Sequence, residues 1–235
     1  MSRGNIYQLL DKCLLAKTEY QPIARIDDRS WWEGSIPTAA RLDICNNAGL
    51  SACIDWPHLT ASNYLNFKRN GNRTHYEQPY FKRRKILWSL AIGECVENKG
   101  SYLDHIANAI WSICEESSWC VAAHNAAYGN DSGLPIIEKP VIDLFAAETS
   151  AILSYVYFML KSRLDEVSPV ISQRIENEIV KRIIEPFLSR DDFWWMGING
   201  RKVNNWNPWI LSNIIPSILL IEEDHSLRVT GMQKC

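Results

Sequence analysis

No uninterrupted apolar run in these 235 residues reaches the roughly 18 needed to cross a bilayer, and Met1 to Leu15 is too polar for a secretion signal. A soluble chain with no membrane partner is therefore expected. Neither sign of charge is in excess: 25 Lys and Arg against 27 Asp and Glu leave a formal charge of -2. That balance gives no electrostatic reason to expect nucleic acid as a partner. The seven cysteines are odd in number and contain no CxxC, so neither a zinc site nor a disulfide framework is indicated. Cys13, Cys95 and Cys114 fall in apolar helical stretches and read as small buried hydrophobes. The five histidines are scattered, so no metal is expected, and nothing calls for another cofactor. A G-x-S-x-G nucleophile motif is missing, no Cys/His pair stands out, and no sustained period-two alternation marks a strand.

What the chain has in abundance is tryptophan, ten residues of it. An indole offers a flat apolar face and one N–H donor, which suits both core packing and stacking on sugar rings. Most are expected in the core, but Trp31-Trp32, Trp194-Trp195 and Trp206 lie in polar, loop-like sequence. Helical periodicity dominates the rest. Ser101 can cap a helix with Asp104 as its capping-box partner, and Leu103, Ile106, Ile110 and Ile113 mark its face. Ser168-Pro169 starts another, in which Ile171, Ile175, Ile179 and Ile183 recur at spacing four, Glu178 and Arg182 pair outside, and Pro186 ends the run. Asp143 to Lys161 is apolar on most sides and predicts a buried helix. Pro79 to Val96 and Pro208 to Ile221 are two more, the second with Pro216 inside it. In the less regular first seventy residues, helices are expected near Ile6 to Leu15 and from Trp56-Pro57 onward. Long loops at 126–140 and 189–207 separate these elements, and long ordered loops often carry function.

Candidate chemistry is sparse. Lys82-Arg83-Arg84-Lys85 reads as a solvated helix face, with an anionic substrate as the alternative. Asp191-Asp192 and Glu115-Glu116 could serve a paired-carboxylate glycosidase, but both read more simply as solvated charges. Two stretches remain. In "EESSWCVAAHN" a helix ends and a loop delivers Trp119 and His124, the latter reading on its own as a hydrogen-bonded structural histidine. In "DDFWWMGINGRKVNNWNPW" amides and indoles converge. Asparagine amides can bind a carboxylate without ionising, and indoles can hold a sugar ring beside it. The alternative is that Asn204 and Asn205 cap a helix starting at Pro208.

The succession "YFKRRKILWSLAIGECV", "WSICEESSWCVAAHN", "DLFAAETSAILSYVYFML", "IVKRIIEPFL", "WW" and "NNWNPW" resembles the toroidal α-domain of heparinase II/III-like polysaccharide lyases and the related oligoalginate lyases, from about Trp56 onward. The Asn-Asn-Trp element is the most telling part. The resemblance implies an all-α fold, an incomplete (α/α) toroid of antiparallel helical hairpins, in a family whose toroid is followed by a β-sandwich. It implies a uronic-acid polysaccharide or oligosaccharide as the anionic partner, cleaved by β-elimination, and a periplasmic or secreted location. Asn205 matches the family's carboxylate-binding asparagine, and is the expected catalytic residue. Asn204, Trp206, His124, Trp119 and Trp195 are then expected to bind substrate, with Asn204, Asn205, Trp206, Trp119 and His124 meeting on the concave side. Trp206 departs from the histidine of alginate-cleaving relatives, which weakens an alginate assignment. Tyr80 and Tyr128 do not match the family's catalytic tyrosine, so the chain by itself is expected to be inactive.

Residues 1–55 are expected to form an irregular segment with one or two helices, and 56–235 the toroid portion, together one domain. The ending "SLRVTGMQKC" reads as the start of an unfinished helix, hence a fragment whose uncovered toroid face favours self-association. Two rival readings stand beside the lyase: an α-toroid glycoside hydrolase using Asp191 or Asp192, and a non-catalytic helical scaffold whose tryptophans only pack.

Overall fold

A computed structural model describes residues 3–126, 132–198 and 200–235, and among these the chain is helical with no strand. Two 24-residue helices dominate, α5 (Thr74–Glu97) and α8 (Leu144–Val167). Asp143 starts α8 by accepting the Ala146 N–H. Small residues at Ala146, Ala147 and Ala151 let neighbours approach it closely, and the helix is buried on most sides, as its composition predicts.

Helix α5 packs beside α8, and α8 packs beside α11 (Trp206–Ile221). A second set lies against these three: α3 (Thr38–Ala52), α6 (Leu103–Cys114), α9 (Pro169–Ile179) with α10 (Glu185–Ser189), and α12 (His225–Lys234). Within that set α6 touches α9, and α10 touches α12. The interior between the sets is aliphatic, with Leu87, Leu90, Ile110, Leu153, Leu160 and Ile175 all at or near zero exposure.

The N-terminal residues hold α1 (Arg3–Cys13), α2 (Arg29–Gly34) and α3, one helix more than expected, and they share the core. Ile26 and Trp32 are buried in it, and the Ile26 N–H donates to Met159 O at 2.9 Å. Arg29 donates to Cys95 O and Val96 O, and Arg41 to Val96 O and Trp32 O. These guanidiniums satisfy carbonyls that the last turn of α5 leaves without an intrahelical partner. Helix α1 packs on α12.

Several boundaries differ from expectation. Helix α5 begins at Thr74 and carries Pro79 inside it. Helix α4 (Ala61–Asn70) starts not at Trp56-Pro57 but after Thr60, whose hydroxyl accepts the Asn63 N–H. Ser101 does not cap α6. Instead the Glu94 carboxylate reaches from α5 to accept the Gly100 and Tyr102 N–H groups at 2.6 and 3.0 Å, which holds the turn leading into α6 from a neighbouring element. Pro186 does not end the helix after α9. A π turn at Val180–Ile184, closed by the Glu185 N–H on Val180 O, restarts it so that Pro186 falls in the first turn of α10, where no N–H is needed. Cys13 is exposed, while Cys95, Cys114 and Cys120 are buried, and burial pushes the Cys114 thiol up to about 12.

The α3–α5 contact is close because Gly93 of α5 faces Ala48 of α3. A Cβ added at Gly93 would stand 2.2 Å from the Ala48 Cβ. Gly93→Ala is expected to lower stability by about 1–3 kcal/mol through overpacking, although alanine is the better helix former. Urea unfolding checks this, and Ala48→Gly in the same chain should return much of the loss because the two sites couple directly.

Candidate functional site

The N-terminal ends of α8 and α11 and the loop after α6 meet on one side of the molecule. Asp143, at zero exposure, anchors the junction. One oxygen accepts the Ala146 N–H at 2.7 Å; the other accepts the Val121 N–H at 3.4 Å and His124 Nδ1–H at 2.7 Å. The short helix α7 (Ala122–Ala126) carries the imidazole; the carboxylate beside Nδ1 calls for a proton on that nitrogen, and Nε2 has no hydrogen-bond partner among the described residues.

The His124 ring stacks on Phe145, centroids 5.3 Å apart and planes 11° apart. On its other side it meets Trp206 at 4.5 Å, and Trp206 meets Trp194 at 4.7 Å. Phe81 of α5 extends the row, 4.8 Å edge-on to Phe145. Five rings from distant parts of the chain thus form one continuous band. Below Phe145, one turn along α8, Glu148 accepts the Trp209 indole N–H at 2.9 Å, and burial pushes its carboxyl above the usual range.

The Asn-Asn-Trp stretch sits at the lip of this band. Asn204 Oδ1 accepts the N–H of Trp206 at 3.0 Å, an Asx-type bond two residues on that satisfies the first donor of α11, which starts at Trp206 and not at Pro208. Asn205 occupies the N-cap position, but its side chain makes no capping bond and is exposed. Its amide has no hydrogen-bond partner among the described residues.

Trp119 and Trp195 are placed otherwise than expected. Both indoles are interior, at 2 % and 1 % exposure, and neither can stack on a ligand from there. Trp119 donates to Ile113 O in the last turn of α6, under the Arg182 guanidinium; Trp195 donates to Ile142 O and stacks between Phe187 and Phe193. A single 3-10 turn at Trp194–Met196 sends Trp195 inward and leaves Trp194 in the ring band.

The basic run on α5 is also not a solvated face. Lys82 and Lys85 are exposed, but Arg83 and Arg84 are buried, and both donate to a buried Glu116. Arg83 Nη1 lies 3.0 Å from Glu116 Oε1, and Arg84 Nη2 lies 2.5 Å from Oε2. Arg84 also donates to Thr149, while the Tyr80 hydroxyl donates to Trp119 O at 2.7 Å. This network ties the loop that carries His124 to α5 and α8. Tyr80 is fully buried within it, and burial holds its phenol far above the ordinary value; Tyr128 lies outside the described residues.

Asp191 and Asp192 are exposed and each is ion-paired, to Lys234 at 2.7 Å and to Arg190 at 2.9 Å. The hydrogen bond from Arg190 holds the Asp192 carboxyl below its usual range. Asp192 lines a surface cleft with Glu138 and Glu185, and there its charge is taken up by Arg190. Among the described residues, no group of three or more His, Cys, Asp and Glu could hold a metal ion.

Asp143, Phe145, Glu148 and Trp209 were not singled out from sequence. Asp143 had a readable local signal, an aspartate just ahead of an apolar helical run. The partner of its second oxygen is fixed only by the fold. No protein-family model matches this chain, and no curated protein matches it.

Proposed function

We propose that this chain forms the substrate-gripping side of a polysaccharide lyase, cleaving uronic-acid glycans by β-elimination on an incomplete (α/α) toroid. The order of helix contacts supports that arrangement: α5, α8 and α11 side by side as an inner layer, with α3, α6, α9–α10 and α12 behind them. Leu42 and Leu50 on α3 are exposed apolar positions, and self-association through such a face is part of the reading.

One observation carries the proposal: an imidazole paired with Asp143, a band of aromatic rings and an exposed asparagine with no capping bond stand together at the ends of two buried helices. The amide of Asn205 binds the uronate carboxylate, which stabilises the negative charge that develops when the C5 proton leaves. His124, whose ring stands against Trp206 next to that amide, is assigned here as the proton acceptor through Nε2, which departs from the inactivity expected of the chain by itself. The electron pair of the C5–H bond becomes the C4=C5 double bond, and the glycosidic oxygen departs and takes up a proton. Trp206 and Trp194 offer ring faces to the sugar. Exposed Arg201 and Lys202, just ahead of the asparagines, favour an anionic ligand over a neutral one.

Binding is the decisive measurement. Oligosaccharides of heparan sulfate, hyaluronan, chondroitin sulfate and alginate are titrated against tryptophan fluorescence, beside a neutral cellulose oligosaccharide. At least one uronate ligand should bind at least about tenfold more tightly than the neutral chain, the worth of one charge-assisted hydrogen bond. Equal affinity for both, or no binding at all, defeats the reading. Ultraviolet absorbance in the same samples reports any unsaturated uronate, and a rise lost in His124→Ala would identify the acceptor.

A further inference from the structure

We infer a second ligand site, for an organic carboxylate with a flat or ring-shaped body, in the cleft of about 530 Å³ between α4, α5 and the end of α6. It is separate from the ring band around His124. Trp56, Tyr64, Tyr76, Arg83, Ser118 and Glu115 are among its walls.

Arg83 is its centre. Of the five N–H donors of a guanidinium, Nε–H goes to Pro57 O at 2.7 Å and one Nη1–H goes to Glu116 at 3.0 Å. The remaining donors have no partner among the described residues, and the planar group lies against Trp56, 5.3 Å from the ring centroid. Glu116 is shared with Arg84, so two buried guanidiniums meet one carboxylate and one positive charge is left over. A second observation points the same way. Tyr76 is 7 % exposed, yet its hydroxyl has no hydrogen-bond partner among the described residues, and it lines the cleft. Burial keeps that phenol protonated, hence a donor. The Ser118 hydroxyl accepts from the Cys120 N–H, and its own O–H has no acceptor among the described residues.

The free donors therefore gather around a surplus positive charge, and the walls beside them are aromatic. A carboxylate matches the planar fork of arginine, accepts from Tyr76 and supplies the one negative charge that is missing. Its ring can lie along Trp56 and Tyr64. Glu115 at the rim is exposed and has no ion-pair partner among the described residues, so its charge works against an anion there.

Calorimetric titration of the chain with benzoate, benzamide and inorganic phosphate tests this. Benzoate should bind at least tenfold more tightly than the neutral isostere benzamide, and more tightly than phosphate. Tyr76→Phe, which removes one oxygen atom, should weaken benzoate by about threefold to tenfold. Arg83→Met should abolish binding, and Glu115→Gln should strengthen it. Because Arg83→Met disturbs a buried ion pair, its melting curve is recorded and Tyr76→Phe carries the decision if it fails to fold. Asn205→Ala should leave benzoate binding unchanged, which separates this site from the proposed glycan face. No saturable heat with benzoate, equal affinity for benzamide, tighter phosphate binding, or indifference to Tyr76→Phe would each overturn the inference.

Discussion

Glu116→Ala is expected to cost about 3–5 kcal/mol of stability, the largest loss of any single substitution considered. The Glu116 side chain is 3 % exposed, and among the described residues it is the only carboxylate paired with Arg83 and Arg84, themselves buried. Removing it leaves two guanidinium charges inside the protein with their desolvation uncompensated. The effect should spread, because the Glu116 carbonyl also accepts from Arg182 at 2.6 Å and the loop beyond it carries His124. Most domains have only about 5–15 kcal/mol in hand, so the variant should be marginal at room temperature. Glu115→Ala, one residue earlier and exposed, should change stability by no more than about 0.5 kcal/mol. Urea unfolding of both measures the difference. A loss below about 1 kcal/mol for Glu116→Ala would mean that the guanidiniums find other acceptors or water.

The second large effect separates two adjacent asparagines. Asn205→Ala should lower affinity for a uronate oligosaccharide by about tenfold to a hundredfold, since a hydrogen bond to a charged group contributes about 1.5–3 kcal/mol. Its melting temperature should stay put, because the side chain makes no capping bond. Asn204→Ala should do the opposite. It removes the acceptor for the N–H of Trp206, the first residue of α11, and should cost about 0.5–1.5 kcal/mol of stability as a lost hydrogen bond. Affinity then falls only as far as Trp206 loses its place in the ring band. The cross-comparison is the test: equal losses of stability and affinity in both variants would reduce the pair to capping residues and remove Asn205 from the site.

Helix identity was legible wherever a repeating apolar pattern sat between readable ends. The run Ile171, Ile175, Ile179 and Ile183 is buried as its spacing requires, Pro169 is at the first turn, and Glu178 pairs with Arg182 at 2.5 Å. The buried character of α8 followed from its composition alone. These are properties of a few consecutive turns, set by side-chain direction and backbone sterics, so neighbours in sequence suffice to fix them.

Partnership was not legible. Arg83, Arg84 and Glu116 look like surface charges in sequence, and only the meeting of α5 with the end of α6 buries them together. Trp119 and Trp195 carry the same side chain as Trp206, yet the first two found open carbonyls at Ile113 and Ile142 and went inside. The α6 start and the passage through Pro186 were decided in the same way, by a carboxylate from another helix and by a π turn. The sequence alone determined that the chain is built of helices and where most of their apolar faces lie. Tertiary structure decided which polar groups are buried, which indoles reach the surface, and that His124 stands between Asp143, Phe145 and Trp206. The reason is that burying a charge or an N–H is allowed only where a partner arrives, and the partner is supplied from far along the chain.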